Sequence, residues 1–154
     1  MALLPAAGTD WDPVAEQLAL AALLADFSSS ASVATQQTRS SNTFGDLATV
    51  GPSVPLTSKG TIAWVAWGAI VFGNVASASG RVTVAISGAT TLAAAATNGF
   101  YASENGGLGV GSAGVVWRAF AITPGANTYT LKYNNIAANG TATFQDRWIT
   151  VVAP

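Results

Sequence analysis

Beyond residue 33 the chain holds only three carboxylates, Asp46, Glu104 and Asp146. Hydrolysis of a glycosidic bond needs two that converge on it, and nothing in the spacing keeps Glu104 from meeting Asp146. Carboxylates on loops and strand surfaces ordinarily face water or a nearby base instead. Asp146 lies in Phe144-Gln145-Asp146-Arg147-Trp148, where strict alternation places it on the face of Phe144 and Trp148. A carboxylate among aromatic rings needs a partner. Arg118, set between Val116 and Phe120, is the expected one, so a buried Arg118–Asp146 ion pair is predicted.

Other chemistry is thinly supplied. The chain has no Cys and no His, which removes a thiolate nucleophile, a disulfide, a Ser-His-Asp triad and the usual nitrogen and sulfur zinc sites. The stretch from Gly106 to Gly114 is dense in glycine, but no Gly-Lys-Ser/Thr follows it and no helix is expected to open there. It reads as a surface loop. These residues predict no enzyme, no cofactor and no metal. Trp64, Trp67 and Trp117 offer one further possibility, a platform for stacking on sugar rings. Tryptophans embedded in apolar strands are more often core or interface, and burial is the expectation.

The elements that must position these residues are mostly short strands. In Thr128-Tyr129-Thr130-Leu131-Lys132-Tyr133 apolar and polar residues alternate, the signal of a half-buried strand. After the turn signals Asn134-Asn135 and Asn139-Gly140, residues Thr141 to Val152 resume a strand rich in β-branched and aromatic side chains. Asn127 to Val152 is therefore predicted to be a terminal hairpin.

Upstream, Thr61 to Phe72 is apolar on both faces, with Ile62, Trp64, Ile70 and Phe72 on one and Val65, Trp67 and Val71 on the other. Val115 to Thr123 has the same character. A strand buried on both faces in an antiparallel domain needs a second partner. Trp64, Trp67, Trp117 and Phe120 are thus the candidate subunit-interface residues, with one face of each sheet expected to meet a neighbour; the family resemblance given last makes that neighbour a trimer mate. Pro52 and Pro55 confine their segment to an edge or a loop. Arg81 to Ser87 alternates cleanly, and Thr90 to Ala96 and Phe100 to Ser103 are weaker strand candidates. Eight or nine short strands separated by Gly, Pro and Asn signals predict an all-β fold, a jelly-roll-type β-sandwich over residues 33–154.

Residues 1–32 form a predicted N-terminal arm. Asp12-Pro13 gives a helix start, and Val14 to Phe27 consists mainly of good helix formers, so a helix is expected over about residues 13–27. Leu18, Leu20, Leu23, Leu24 and Phe27 spread too far around it for a helix lying on one monomer, and they are the candidate docking residues of the arm. A secretory signal is disfavoured because Asp10, Asp12 and Glu16 precede the apolar run where Lys or Arg belongs. Ser28 to Ser32 reads as a polar linker. No base precedes Arg39, so an acidic arm leads into a mildly basic body.

Composition narrows the partners. Half of the residues are apolar and only 8% are charged. No apolar run approaches the ~18 residues of a membrane span, and no basic face suggests nucleic acid. The expectation is therefore no membrane and no nucleic-acid partner, with much of the surface covered by other subunits.

A family resemblance can be placed on particular residues. Asp46-Leu47-Ala48-Thr49-Val50-Gly51-Pro52-Ser53-Val54 resembles phrases in structural proteins of tailed phages, as do Tyr129 to Tyr133, Gly140 to Phe144 and Arg147 to Val151. These are jelly-roll modules similar in outline to tumour-necrosis-factor-like domains, found as head decoration proteins and in tails or fibres. The likeness covers about Val33 to Val152 and brings no catalytic residues with it. It implies a homotrimer on the virion, made in the host cytoplasm, that docks on the major capsid protein through its arm. The alternative is a tail- or fibre-associated module that recognises host cell-surface glycan.

Overall fold

Alternation of apolar and polar residues along most of the chain leads to two antiparallel sheets packed face to face. The computed structural model describes residues 13–74, 79–103, 111–136 and 140–154. Helix α1 (Pro13–Phe27) runs directly into β1 (Ser28–Val33), followed by β2 (Gln37–Arg39), β3 (Ser53–Ser58), β4 (Ile62–Gly73) and β5 (Ser79–Gly88). After a single 3-10 turn at Ala96–Asn98 come β6 (Phe100–Ser103), β7 (Ser112–Ala121), β8 (Gly125–Asn135) and β9 (Ala142–Val152).

Sheet A has the order β1-β9-β4-β7, with β2 continuing the β1 edge along β9, and sheet B has the order β3-β8-β5-β6. Eight strand positions in two such sheets, with the chain crossing repeatedly from one to the other, make a jelly roll. The all-β sandwich and its N-terminal helix are as the sequence predicts. Pro55 lies on the edge strand β3, where its missing N–H costs no ladder bond.

Two expectations are corrected. The terminal segment is not a hairpin: β8 pairs with β3 and β5 in sheet B, while β9 pairs with β1, β2 and β4 in sheet A. Each strand has one apolar face, and those faces meet across the core, where the Tyr133 and Phe144 rings lie 5.0 Å apart. Ser28 to Ser32 is not a linker either. Those serines form β1, in register from Ser28 opposite Val152 to Val33 opposite Arg147. The run Ser-Ser-Ser-Ala-Ser-Val hides the strand signal, because neither Ser nor Ala announces a face. The sandwich thus begins at Ser28, without a spacer after the helix.

Between the sheets lie Val54, Val65, Trp67, Val84, Leu131, Phe144 and Ile149, all buried. One charged side chain shares that interior. Arg147 is fully buried, and its guanidinium donates to the carbonyls of Gly51 at 3.3 Å and Thr35 at 3.2 Å and to Gln37 Oε1 at 3.1 Å. The same group sits 5.4 Å from the centroid of the Tyr133 ring, a cation–π distance. Tyr133 in turn donates its hydroxyl to the Gly51 carbonyl at 2.8 Å.

Burial pushes the Tyr133 phenol well above its ordinary value of 10.0, although Arg147 beside it pulls the other way. Tyr129, also in the core, is raised by burial too. The folded state therefore keeps these protons where the unfolded chain releases them. The stability this contributes is complete below about pH 10 and is lost as pH rises further, by up to ~1.4 kcal/mol per pH unit for each tyrosine. Urea midpoints measured between pH 8 and 11 should be flat at first and then fall steeply; a flat profile throughout would contradict the burial of these phenols.

Candidate functional site

Each sandwich sheet has an inner and an outer face, and the two outer faces here differ in kind. On sheet B the outward residues of β8 are Thr128, Thr130 and Lys132, alternating with buried Tyr129, Leu131 and Tyr133. Lys132 holds Asp46 in an ion pair at 2.7 Å. That face is polar and suits water.

On sheet A the outward residues of the two neighbouring strands β4 and β7 are apolar. Alternation along β4 buries Ala63, Val65, Trp67 and Val71 and turns Ile62, Trp64 and Ile70 outward. The β4–β7 register sets Ala66 opposite Trp117 and Trp64 opposite Ala119, so Trp64 and Trp117 are diagonal neighbours on the outer face. Their rings stack, with centroids 4.5 Å apart and planes 14° from parallel. Even so, Trp64 is 39% exposed, Trp117 65% and Val115 66%. Trp148 belongs to the same face. Its indole lies over Gly68, where any Cβ would sit 2.7 Å from Nε1. No outward residue of β4 or β7 carries a charge.

The four tryptophan and phenylalanine positions read from sequence as one interface therefore divide. Trp64 and Trp117 are on the open face. Trp67 is fully buried between the sheets, 6.2 Å from the Phe120 ring and donating Nε1–H to the Val82 carbonyl, and Phe120 is buried as well. Both doubly apolar strands also belong to sheet A. The uncovered surface is one face of one sheet, rather than a face of each.

The predicted Arg118–Asp146 pair is not formed. Asp146 has φ +48° and sits in a bulge, where Asp146 and Arg147 together lie opposite Ala69 while Gln145 pairs with Ile70 and Trp148 with Gly68. One extra residue in the strand shifts the alternation by one. Phe144 and Arg147 consequently point inward, whereas Asp146 is exposed and accepts from Gln145 Nε2 at 3.2 Å. Arg118 reaches past the sheet edge to the Thr97 carbonyl and to Asn98 Oδ1. Arg147, which the alternation concealed, is the buried cation. Asp in the left-handed region is the local signal that betrays such a bulge, but it is visible only once the backbone is known.

Of the remaining carboxylates, Asp46 is engaged by Lys132 and Glu104 lies outside the described residues, as does most of the glycine-rich stretch. Among the described residues no group of three His, Cys, Asp or Glu side chains gathers where a metal could be held, and no helix is long and apolar enough to cross a membrane.

The helix is the second uncovered apolar element. Leu18 is 66% exposed and Leu20 51%. Two positions apart on a helix are about 200° apart around its axis, so opposite sides of α1 are wet and apolar. Phe27 is partly covered, and the side chains of Leu23 and Leu24 lie outside the described residues. Against models of known protein families and against curated proteins, the chain shows no match.

Proposed function

We propose that this chain is a structural subunit of a virion: a homotrimer that decorates the capsid and docks on the major capsid protein through its N-terminal arm. The observation that carries this reading is the contrast between the two outer faces. A polar face on sheet B and a charge-free, tryptophan-bearing face on sheet A fit a subunit that is wet on one side and covered on the other. The two indoles of that face alone leave on the order of 250 Å² of ring surface in water, and monomers seldom expose apolar patches beyond a few hundred Å² in total. The arm and the jelly-roll order agree with the phage-protein resemblance of the sequence.

A second reading rests on the same tryptophans, as a surface that stacks on host glycan. The stacking geometry favours assembly instead. Each ring already has one face covered by the other, whereas a sugar platform presents its aromatic faces open. Titration with host-wall polysaccharide is expected to leave tryptophan fluorescence unchanged.

The deciding experiment uses phage heads that lack the protein. The full chain is expected to scatter light as a trimer and to bind those heads. A protein beginning at Ser28, which retains all nine strands, is expected to fold but to bind at least tenfold more weakly. Equal binding by both would place the docking surface on the sandwich, and absence of binding by the full chain would remove the capsid reading.

A further inference from the structure

Among the described residues two apolar surfaces lack cover: the sides of α1 that carry Leu18 and Leu20, and the outer face of β4 and β7 around Trp64, Val115 and Trp117. Within a single chain they do not meet, because α1 packs at β1 and β3. No residue separates Phe27 from Ser28, and the junction is stitched into the sheet by the Ala153 N–H, which donates to the Phe27 carbonyl at 2.8 Å. The helix is therefore held at the β1 edge, where its nearest strands are β1 and β3. The exposed face lies further across the sheet on β4 and β7, about 10 and 14 Å from β1 at two and three strand spacings.

We infer that α1 of one copy packs across the outer face of sheet A of the next, with Leu18 and its neighbours over Trp64, Val115 and Trp117. The inference rests on the reading of the chain as a self-associating subunit and names the contact that joins its copies. A second copy is the occupant the surfaces specify, because one contact of this kind covers the Leu18 side of α1 and the open face of sheet A together. Face-to-face pairing of two sheets would leave both helices bare. The dimensions also agree: α1 is 15 residues long, about 22 Å, and β4 with 12 residues offers a track of about 40 Å. Neither the outward residues of β4 and β7 nor Leu18 and Leu20 bring a charge into the contact.

A contact from one edge of a subunit to the opposite side of its neighbour is head-to-tail, and such contacts close into a ring when the rotation between neighbours divides a full turn. A ring of three meets the proposed trimer. In that ring the Leu18 side of α1 belongs to the assembly, and its opposite side, which carries Leu20, stays open for docking on the capsid.

The absence of cysteine from the chain gives a direct test in the full-length protein. Leu18→Cys and Val115→Cys are made singly and together, both at exposed positions, and treated with a short bismaleimide. The double variant should give a covalent ladder ending at trimer, and a mixture of the two single variants should give only mixed dimers. Each single variant alone should cross-link at less than a tenth of that level. Strong cross-linking of Val115→Cys by itself would mean face-to-face pairing and would overturn the inference. So would a link formed only within one chain, or no link in a protein that scatters light as a trimer.

Failure of the capsid reading is separable. Correct cross-links with no binding to phage heads would leave this contact standing and remove the virion role. Binding to heads by a chain that never cross-links would do the reverse.

Discussion

Replacing Arg147 with alanine is expected to destabilise the sandwich by about 3–5 kcal/mol, since it empties a core-sized volume and removes the hydrogen bonds to Gly51, Thr35 and Gln37 at the same time. The guanidinium is fully buried, and among the described residues no carboxylate lies within ion-pair distance of it. Its charge is instead spread over two backbone carbonyls, a side-chain amide oxygen and the face of Tyr133. These belong to separate parts of the chain: the bend between β1 and β2, the turn before β3, and a core strand of sheet B. One side chain thus fixes the edge of sheet A to sheet B.

Arg147→Met should cost less than Arg147→Ala, because methionine restores most of the volume and leaves only the carbonyls to be satisfied. Arg147→Lys keeps the charge but loses the planar fork that reaches several acceptors at once. Chemical denaturation should show the midpoint falling in each variant with the slope unchanged. A loss below about 1 kcal/mol for the alanine variant would show that the carbonyls find other donors without strain.

Much of the architecture was open to reading from the chain. The two faces of β4 separate in the structure as alternation assigns them, Ile62, Trp64 and Ile70 outward and Val65, Trp67 and Val71 inward. The helix follows from Pro13 at its start and a run of residues that favour no other conformation. What escaped were features that depend on pairing rather than on pattern. A period-two signal says which residues share a face and nothing about which strand lies alongside. The split of β8 and β9 between sheets was therefore hidden, although both strands were legible.

The bulge at Asp146 has the same origin. Alternation is a reliable guide only while the ladder stays in step, and one inserted residue exchanges the faces of everything beyond it. That is why alternation places Asp146 on the face of Phe144 and Trp148 and gives no sign that Arg147 is the buried residue. The uncovered surface was half legible for a related reason. Double apolarity of β4 and β7 announced that something must cover them, but their adjacency in sheet A, which turns two strands into one patch, belongs to topology.

The largest effect on assembly is expected from a charge at the centre of that patch. Trp117→Asp should weaken association of the full chain by at least 100-fold, the scale of losing a central interface aromatic, with the added cost of burying an unpaired carboxylate. The folded monomer should tolerate the change. Trp117 touches the fold mainly through its stack on Trp64, worth about 0.5–1.5 kcal/mol, and a strand position disfavouring aspartate adds a cost of order 1 kcal/mol. Trp67→Ala, three residues along β4 from Trp64 but facing inward, should behave in the opposite sense. It removes a fully buried indole and should cost about 3–5 kcal/mol of folding stability.

Sedimentation velocity and thermal unfolding on the same two variants separate the two faces of sheet A. The expected pattern is a well-folded, dissociated Trp117→Asp and a poorly folded Trp67→Ala. A Trp117→Asp protein that remains fully associated at micromolar concentration would mean that the outer face of sheet A is not where copies meet, and both the assembly and the helix contact drawn on it would have to be given up.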